Sequence, residues 1–272
     1  MIGSDQMEPD YKNWVPERLL GLFFLLDALT GLFLHLLFQT PWQAMDWLQK
    51  ICGIVAVLFL AFMFVCSAWG ILAHRAFSEH GRRRLARQIT EGVADYVTLP
   101  PGGHGLDVGC GSGALTIACA KRNPGGFFIG IDTWAMTWYQ YSRALCRSNA
   151  KAEHVHNVMF LPGNAVRLNF PDETFDAVTS NYCYHNIMGT DRQALLRESL
   201  RVLKKGGRFV VHDLMGPCQG YGEMAAFIRE LEAEGCRDVR LIDTTRGKFM
   251  TRFESRIYLL MGSKLLIAVK GE

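Results

Sequence analysis

An apolar stretch that runs directly into glycines at alternate positions constrains the fold of this chain more than any other feature. Residues 106–114 read LDVGCGSGA, so Gly109, Gly111 and Gly113 follow a predicted buried strand. Because glycine has no Cβ atom, the backbone turns sharply there and offers its N–H groups to a ligand at close range. The stretch also fits the pattern G-x-G-x-x-G/A, with Ala114 last. The loop alone therefore does not separate a nicotinamide cofactor from S-adenosylmethionine.

Further strands and helices alternate after this loop. Helices are predicted over residues 114–122 and 192–202. The later predicted strands are FFIGID at 127–132, VMFLPGNA at 158–165, FDAVTSNYCYHN at 175–186, LKKGGRFVVHDL at 203–214, VRLID at 239–243 and KLLIAVK at 264–270. This alternation predicts an α/β fold with a doubly wound, Rossmann-like sheet of seven strands.

Taken in this order, the motifs resemble class I S-adenosylmethionine-dependent methyltransferases, especially the small-molecule group that includes ubiquinone and menaquinone biosynthesis C-methyltransferases. The resemblance covers about residues 85–271. It is carried by the DVGCGSG loop, the GID acid, GNA before the fourth strand, FDAV and the LKKGG turn. It implies a seven-stranded methyltransferase sheet, S-adenosylmethionine as the cofactor and a small-molecule acceptor.

The resemblance also implies a set of cofactor-binding residues. Asp107 and residues 109–113 would surround the methionine part of the cofactor, Asp132 would hold the ribose, and the turn 163–165 would contact the adenine. Many relatives have Asp where this chain has Asn164, whose amide still accepts a hydrogen bond but carries no charge. The predicted cofactor-binding residues are Asp107, Gly109, Cys110, Gly111, Gly113, Asp132, Thr133, Asn164, Ala165 and Asn181.

These residues also have structural interpretations. The glycines could mark a plain tight turn, and Asp132 could cap a helix, because the run TWAMTWYQYSRALCRSNA at 133–150 is predicted to be helical. Trp134, Trp138 and Tyr141 begin that run. They could wall the adenine and acceptor pocket or form ordinary core.

Catalytic candidates follow from the chemistry of methyl transfer. The reaction is an in-line displacement at a sulfonium, so the protein mainly aligns the acceptor and excludes water, and no metal is required. A thiol, phenol or carbon acid must also lose a proton. The polar groups at the ends of the fourth and fifth strands are Tyr182, Tyr184, His185, Asn186, His212 and Asp213. We expect His185 to be the base, with Tyr184 and His212 as further catalytic candidates. The alternative for His185 is packing or hydrogen bonding at the rim of the site.

The cysteines carry little of the predicted chemistry. No C-x-x-C pair or Cys/His set has the spacing of a metal site, so no metal is predicted. Cys110, Cys119 and Cys146 are interpreted as small core or loop residues. Cys183 lies among the predicted site residues, where a catalytic thiol is a lesser alternative.

Two long apolar runs, residues 19–38 and 51–73, lie near the N-terminus. Each reaches the roughly 20 residues that span a bilayer as a helix. The polar turn between them, residues 39–50, contains Trp42 and Trp47, whose rings favour a membrane boundary. A second run after a long first one argues against a cleaved signal peptide. The sequence therefore predicts a transmembrane helical hairpin before the sheet.

Asp27 and His35 interrupt the first run. An Asp at the bilayer centre costs about 2.5–3.5 kcal/mol on insertion scales, so such residues are candidates for function. A structural role is favoured here. His35 lies close enough to the end of the run to reach the interface, and Asp27 could bond to the second span or stay neutral.

Basic residues set the predicted orientation of the hairpin. Five arginines follow the second run: Arg75, Arg82, Arg83, Arg84 and Arg87. The turn has only Lys50 against Asp46, so the positive-inside rule places both chain ends and the catalytic domain in the cytoplasm. The arginines would contact anionic lipid headgroups or act as a stop-transfer signal without lipid specificity. The net charge of +3 is too small to suggest nucleic acid.

The sequence predicts four parts. These are an N-terminal tail (1–17), a transmembrane hairpin (18–74), a basic connecting helix with a hinge (75–103) and an S-adenosylmethionine-binding methyltransferase domain (104–272). The connecting helix has Leu85, Ile89, Val93 and Tyr96 at helical spacing, and PPGG at 100–103 forms the hinge.

The predicted function is that of a membrane-anchored methyltransferase acting on a small lipophilic acceptor, such as a quinone precursor, a lipid or a hydrophobic thiol. Membrane lipids are the other expected partner. The alternatives are a non-catalytic cofactor-binding membrane interaction protein and a nicotinamide-dependent dehydrogenase.

Overall fold

The computed structural model describes residues 8–135 and 140–271. The described chain forms two compact units, one within Met1–Lys12 and Arg87–Glu272 and the other within Asn13–Ala86. The larger unit carries the sheet, and the smaller one carries two long apolar helices. The four-part division made from the sequence stays a prediction.

Each predicted strand is present, although the third and fourth strands end earlier than predicted. The helices are α1 (Glu17–Leu37), α2 (Trp47–Phe77), α3 (Leu85–Ala94), α4 (Ala114–Arg122), α5 (Arg143–Ala152), α6 (Arg192–Val202), α7 (Met224–Ala233) and α8 (Arg252–Ile257). The strands are β1 (His104–Val108), β2 (Phe127–Asp132), β3 (Val158–Pro162), β4 (Phe175–Asn181), β5 (Leu203–Leu214), β6 (Arg237–Asp243) and β7 (Ser263–Val269). Short 3-10 helices, Tyr184–Asn186 and Pro217–Gln219, follow β4 and β5.

The strands form one sheet in the order β3-β2-β1-β4-β5-β7-β6. β7 pairs antiparallel with β5 and β6, and the other neighbouring pairs are parallel. A dinucleotide-binding sheet has the order 3-2-1-4-5-6, so the antiparallel strand between β5 and β6 distinguishes this sheet from it. The predicted doubly wound, seven-stranded fold is confirmed. The strand order reverses between β1 and β4, and ligands bind at the carboxyl edge of such a switch point.

Buried apolar side chains fix the centre of the sheet against α6 and α7. Val178 of β4 and Phe209 of β5 belong to the same buried cluster as Leu196 of α6 and Phe227 of α7. Fully burying a side chain of this size contributes roughly 1.5–3 kcal/mol. This packing holds the carboxyl ends of β4 and β5, where the polar candidates lie, on a rigid support.

α1 and α2 pack against each other through small and polar side chains. A Cβ atom added to Gly70 of α2 would lie 2.6 Å from Leu20 Cδ2 of α1, so glycine permits the close approach of the two helices. The Ser67 hydroxyl of α2 donates to Asp27 Oδ2 at 2.6 Å. The buried Asp27 Oδ1 has no partner among the described residues. The hydrogen bond expected between Asp27 and the second helix is present.

The outward faces of both helices are apolar. Exposed side chains include Leu22, Phe24, Leu25, Leu29, Leu32, Phe33 and Leu36 on α1, and Ile51, Ile54, Val55, Leu58, Phe62, Phe64 and Val65 on α2. By length and composition, both helices qualify as candidate membrane spans. The turn between them is shorter than predicted, because the Asp46 side chain accepts from Gln49 N and starts α2 at Trp47.

We expect Ser67→Ala to weaken the pairing of α1 and α2 by about 0.6 kcal/mol and at most about 1.7 kcal/mol, the average and the maximum for such bonds if the two helices lie in a membrane. The substitution leaves the Asp27 carboxyl without its donor. Unfolding of the purified full chain in a detergent or bilayer measures the effect, and Cys66→Ala, one position away, is the control. Equal stability of the two variants would contradict a stabilising bond between Asp27 and Ser67.

α3 is the predicted connecting helix. Leu85, Ile89 and Val93, at helical spacing, are fully buried. The helix ends at Ala94, so Tyr96 lies beyond it.

Candidate active site

The glycine loop joins β1 to α4 at the carboxyl edge of the sheet. Its three glycines have positive φ angles of +75°, +54° and +83°, a region that residues with a Cβ atom enter at a cost of roughly 1–2 kcal/mol. The N–H groups of Gly109 and Cys110 donate to Ile131 O of β2 at 2.8 and 2.9 Å. A Cβ atom on Gly111 would meet nothing closer than the Tyr141 ring at 3.8 Å. The loop therefore leaves room for a ligand to approach its backbone.

Asp132, at the end of β2, holds this loop through its carboxylate. Oδ2 accepts from Gly111 N at 2.9 Å, and Oδ1 accepts from Trp134 N at 2.8 Å. The Trp134 indole N–H in turn donates to Gly111 O at 3.0 Å. Because a carboxylate offers about four lone-pair positions, Asp132 can accept further hydrogen bonds from ribose hydroxyls. Its arrangement fits the predicted ribose role.

The prediction of a helix directly after Asp132 is wrong. Trp134 has φ +44°, which interrupts helical backbone, and α5 begins only at Arg143, where the Ser142 side chain caps it. Asp132 is therefore not a helix cap. Of the aromatic residues expected to begin that helix, Trp134 and Tyr141 precede α5, and Trp138 lies outside the described residues.

Asp107 of β1 supports the loop from below. Its side chain is fully buried, and Oδ2 accepts from the Thr116 hydroxyl of α4 at 2.6 Å. Burial raises the pKa of Asp107 to about 7, against the lowering effect of the Thr116 hydrogen bond and with a smaller contribution from the charge of Asp132. The side chain of Cys110 is buried as well. Both side chains lie in a supporting position at the loop, and their predicted contact with the cofactor stays a prediction.

The other predicted cofactor-binding residues lie at the same edge. Asn164, which follows β3, is exposed, and its Oδ1 accepts from Val166 N at 2.9 Å. Ala165 is buried beside it, and Thr133 is exposed after β2. Asn181 ends β4. Their roles towards the cofactor stay predictions.

His185 and Asp213 form a hydrogen-bonded pair at the carboxyl ends of β4 and β5. His185 Nδ1 is hydrogen bonded to Asp213 Oδ1. Asp213 is fully buried and also accepts from the Tyr221 hydroxyl at 2.8 Å and from the N–H groups of His185 and Leu214 at 3.1 and 2.7 Å. Burial by itself raises the pKa of Asp213, but these hydrogen bonds, the one from the His185 ring first, hold the pKa below its ordinary value.

The pairing determines which His185 nitrogen is available for chemistry. An ionised carboxylate only accepts, so Nδ1 carries the proton in the neutral imidazole, and Nε2 is then the nitrogen with the lone pair. The His185 side chain is 19% exposed. The segment that carries it also abuts the glycine loop, because a Cβ atom on Gly109 would lie 2.1 Å from Cys183 Sγ. His185 is therefore a candidate base that is held in one orientation next to the glycine loop.

Tyr184 and His212 are fully buried, and the structure places both in the core. The Tyr184 hydroxyl lies 2.6 Å from Ser199 Oγ, and burial raises the pKa of the phenol. The ring nitrogens of His212 lie 2.8 Å from Asn181 Oδ1 and 2.9 Å from Thr244 Oγ1, and burial lowers the pKa of the imidazole to about 3. Both side chains form hydrogen bonds within the core, which favours a structural role for each, and their catalytic roles stay predictions.

Cys183 is a poor nucleophile in this setting. Burial raises the pKa of its thiol, which disfavours the reactive thiolate. Among residues 8–135 and 140–271, no group of three or more His, Cys, Asp and Glu side chains is placed to hold a metal ion.

The sequence does not predict the roles of two residues of the site, Asp213 and Tyr221. Asp213 was placed at the right strand end but was given no role, although an acid at the carboxyl end of a central strand is a signal for one. Tyr221 was missed entirely. The Tyr221 hydroxyl reaches Asp213 because the chain folds back after the 3-10 helix Pro217–Gln219. No local sequence pattern predicts this reversal of the chain.

Comparison with protein families identifies the central part of the chain. Residues 106–211 match the family described as "Methyltransferase domain". Together with the sheet order and the glycine loop, this match confirms the prediction of a methyltransferase domain in this part of the chain and supports S-adenosylmethionine as its cofactor. The nicotinamide alternative is not supported.

Individual relatives agree with this class. Demethylmenaquinone methyltransferase from Symbiobacterium thermophilum is 36% identical over 129 residues, which cover 47% of this chain and 49% of that protein. 2-Phytyl-1,4-naphtoquinone methyltransferase from Thermosynechococcus vestitus is 32% identical over 126 residues, 46% of this chain and 52% of that protein. The matched region thus spans about half the length of these relatives.

A solved structure shares the fold. Geranyl diphosphate C-methyltransferase from Streptomyces coelicolor A3(2) is 17% identical, with 70% of this chain and 80% of that chain covered and a TM-score of 0.51. At this level of identity the likeness concerns the fold alone.

Proposed function

We propose that the protein is a membrane-anchored S-adenosylmethionine-dependent methyltransferase that acts on a small lipophilic acceptor, with His185 as the general base. The observation that carries the proposal is the buried Asp213 carboxylate bonded to His185 beside the glycine loop. Burying a charge costs free energy unless the charge is paired and hydrogen bonded. Here the buried Asp213 carboxylate orients the His185 imidazole at the sheet edge where the cofactor would bind.

The proposed step needs one proton transfer by this chain. When bound, S-adenosylmethionine would supply the methyl group from its sulfonium, with the S–CH3 bond breaking and its electron pair remaining on sulfur as the neutral thioether leaving group. His185 Nε2 takes the proton from the acceptor atom, and the electron pair freed there forms the new bond to the methyl carbon. Asp213 holds the imidazole in the required tautomer and stabilises the imidazolium that results. Tyr221 fixes the other oxygen of Asp213.

A quinone-type acceptor is the favoured member of the lipophilic class. Both relatives named above carry a naphthoquinone or menaquinone substrate in their names. A lipid or a hydrophobic thiol remains within the proposal. Incubating the purified full chain with methyl-labelled S-adenosylmethionine and a fractionated host membrane extract identifies the acceptor. Absence of label from every fraction, with cofactor binding intact, would favour the non-catalytic alternative.

The membrane part of the proposal is supported by the exposed apolar faces of α1 and α2. A water-soluble protein buries such faces, whereas α1 buries only Leu34. Both helices are long enough to cross the hydrocarbon core, and the arginines after α2 favour a cytoplasmic location for the chain ends.

We expect a reporter fused after Glu272 to be active only if the reporter works in the cytoplasm. The positive-inside rule predicts this result for a hairpin with Arg75, in the last turn of α2, and the four arginines after α2 on the inner side. Paired fusions of a cytoplasm-active and an export-active enzyme measure it, and fusions within the turn between α1 and α2 provide the opposite control. Export-dependent activity at Glu272 would overturn the hairpin topology.

A further inference from the structure

The segment between β6 and β7 lies at the sheet edge that carries the candidate active site. It leaves β6 after Asp243 and enters β7 at Ser263, and β7 is antiparallel, so both ends lie at the carboxyl edge. Ser263 pairs with Leu214, and Asp213 pairs with Lys264. The ring of Phe249, within the segment, lies 5.3 Å from that of His212, centroid to centroid.

Three large apolar side chains of this segment project into solvent. Phe253 is 70% exposed, Leu259 is 63% exposed and Met261 is 55% exposed. Leu259 also has φ +59°, a conformation that is unfavourable for a branched side chain. Single exposed apolar residues are ordinary, but three within nine residues of one segment are a reason to examine the segment as an interaction surface.

The same segment is basic. Lys248, Arg252 and Arg256 are exposed, and its one acid, Glu254, caps α8 through Thr251. Arg246 is paired with Asp243. Exposed apolar tips flanked by lysine and arginine complement an anionic bilayer, in which the apolar groups enter the interface and the cations meet headgroups.

Chain connectivity links this segment to α2. A Cβ atom on Gly92 of α3 would lie 2.5 Å from the Phe249 ring, and Lys248 Nζ lies 5.4 Å from the centre of the Tyr96 ring. Only residues 78–84 separate α2 from α3. Seven residues extend over at most about 25 Å, so a bilayer crossed by α2 lies within reach of this part of the chain.

We propose that Phe253, Leu259 and Met261, together with Lys248, Arg252 and Arg256, form a docking surface for the anionic leaflet of a lipid bilayer. The proposal rests on the proposed function, because it needs the hairpin in a membrane. Docking turns the carboxyl edge of the sheet towards the lipid, so a lipophilic acceptor reaches His185 from the bilayer without crossing water. Met188, 90% exposed after the His185 segment, is a further apolar tip at this edge.

Hydrogen–deuterium exchange of the full chain tests the docking surface. The chain is reconstituted in nanodiscs of phosphatidylcholine alone or with phosphatidylglycerol. We expect the amides of residues 252–261 to exchange roughly tenfold more slowly in the anionic discs, a factor that corresponds to about 1.4 kcal/mol of protection. The combined substitutions Phe253→Ser, Leu259→Ser and Met261→Ser should abolish this difference. Met159→Ser, at an apolar position on β3 that is 46% exposed, should keep it.

Three results would overturn the docking surface: equal exchange in both lipids, protection that persists in the triple variant, and protection that depends on protein concentration in detergent. The last would indicate contact with a second copy of the chain. Flotation of the chain with lipid tests the anchor, and labelled-methyl transfer tests the reaction. Neither measurement enters the exchange experiment, so failure of the docking surface is distinguishable from failure of the proposed function. Unchanged S-adenosylmethionine affinity checks that the triple variant is folded.

Discussion

Replacing His185 with alanine should lower turnover by roughly 10²–10⁴-fold and leave S-adenosylmethionine affinity close to that of the unmodified protein. General-base catalysis acts in the transition state, so its loss appears in kcat and not in cofactor binding. Single-turnover transfer of labelled methyl measures the rate, and calorimetry measures the affinity. Asn186→Ala, at the exposed neighbouring position, is the control and should remain active.

Asp213→Asn separates the two members of the pair. The amide keeps the size of the side chain but removes the charge that orients and stabilises the imidazole, so turnover should fall although His185 is still present. Near-full turnover of His185→Ala would remove the base from the mechanism. It would favour an acceptor already ionised at neutral pH, such as a thiolate, because His212 and Tyr184 are buried and hydrogen bonded.

The lowered pKa of Asp213 also limits the pH range in which the His185–Asp213 pair loses its stabilising contribution. A carboxyl group whose pKa is depressed by folding stabilises the protein above its unfolded-state pKa, near 3.9 for Asp. That contribution is lost only as the pH falls through the depressed folded-state pKa. A loss of activity between about pH 5 and 7 therefore does not come from protonation of Asp213.

The positions of the strands along the chain could be predicted from the sequence because each strand has a local signal. Buried parallel strands appear as apolar runs such as FFIGID, and the glycine loop fixes where the first strand ends. The position of α5 could not be predicted in this way. The run after Asp132 is compatible with a helix, but the Asp132 carboxylate binds Trp134 N and the backbone at Trp134 becomes left-handed. The Trp134 indole N–H also donates to Gly111 O of the glycine loop, a partner that is distant in sequence.

The sequence predicts which strand ends form the candidate site. It does not predict which side chains at those ends point into the core. His185, Tyr184 and His212 all follow the carboxyl ends of central strands, and the sequence ranks them only by chemistry. Packing separates them. Ser199 of α6 and Thr244 after β6 hold Tyr184 and His212 in the core, and both partners are remote in sequence. Only His185 is left partly exposed with a buried acid behind it.

The other large expected effect is on S-adenosylmethionine binding, from substitutions at the glycine loop and at Asp132, which holds the loop. Asp132→Ala should weaken S-adenosylmethionine binding by about 1–3 kcal/mol, or roughly 5–150-fold, because it removes a charged acceptor for the ribose and frees Gly111 N and Trp134 N. Calorimetric titration with S-adenosylmethionine measures the loss. Asp132→Asn, which keeps one acceptor oxygen, should lose less.

Gly111→Val should weaken the cofactor further than Asp132→Ala, and Gly111→Ala separates the two causes. Both variants place a Cβ atom at φ +54°, which costs roughly 1–2 kcal/mol of stability, but the alanine methyl meets nothing closer than 3.8 Å in the protein. Only the valine methyls extend into the space above the loop. Thermal unfolding measures the shared strain, and titration measures the affinity that valine removes in addition. If well-folded Gly111→Val and Asp132→Ala both bound S-adenosylmethionine as tightly as the unmodified protein, the cofactor would have to lie elsewhere, since no ligand resting on this loop could be indifferent to both changes.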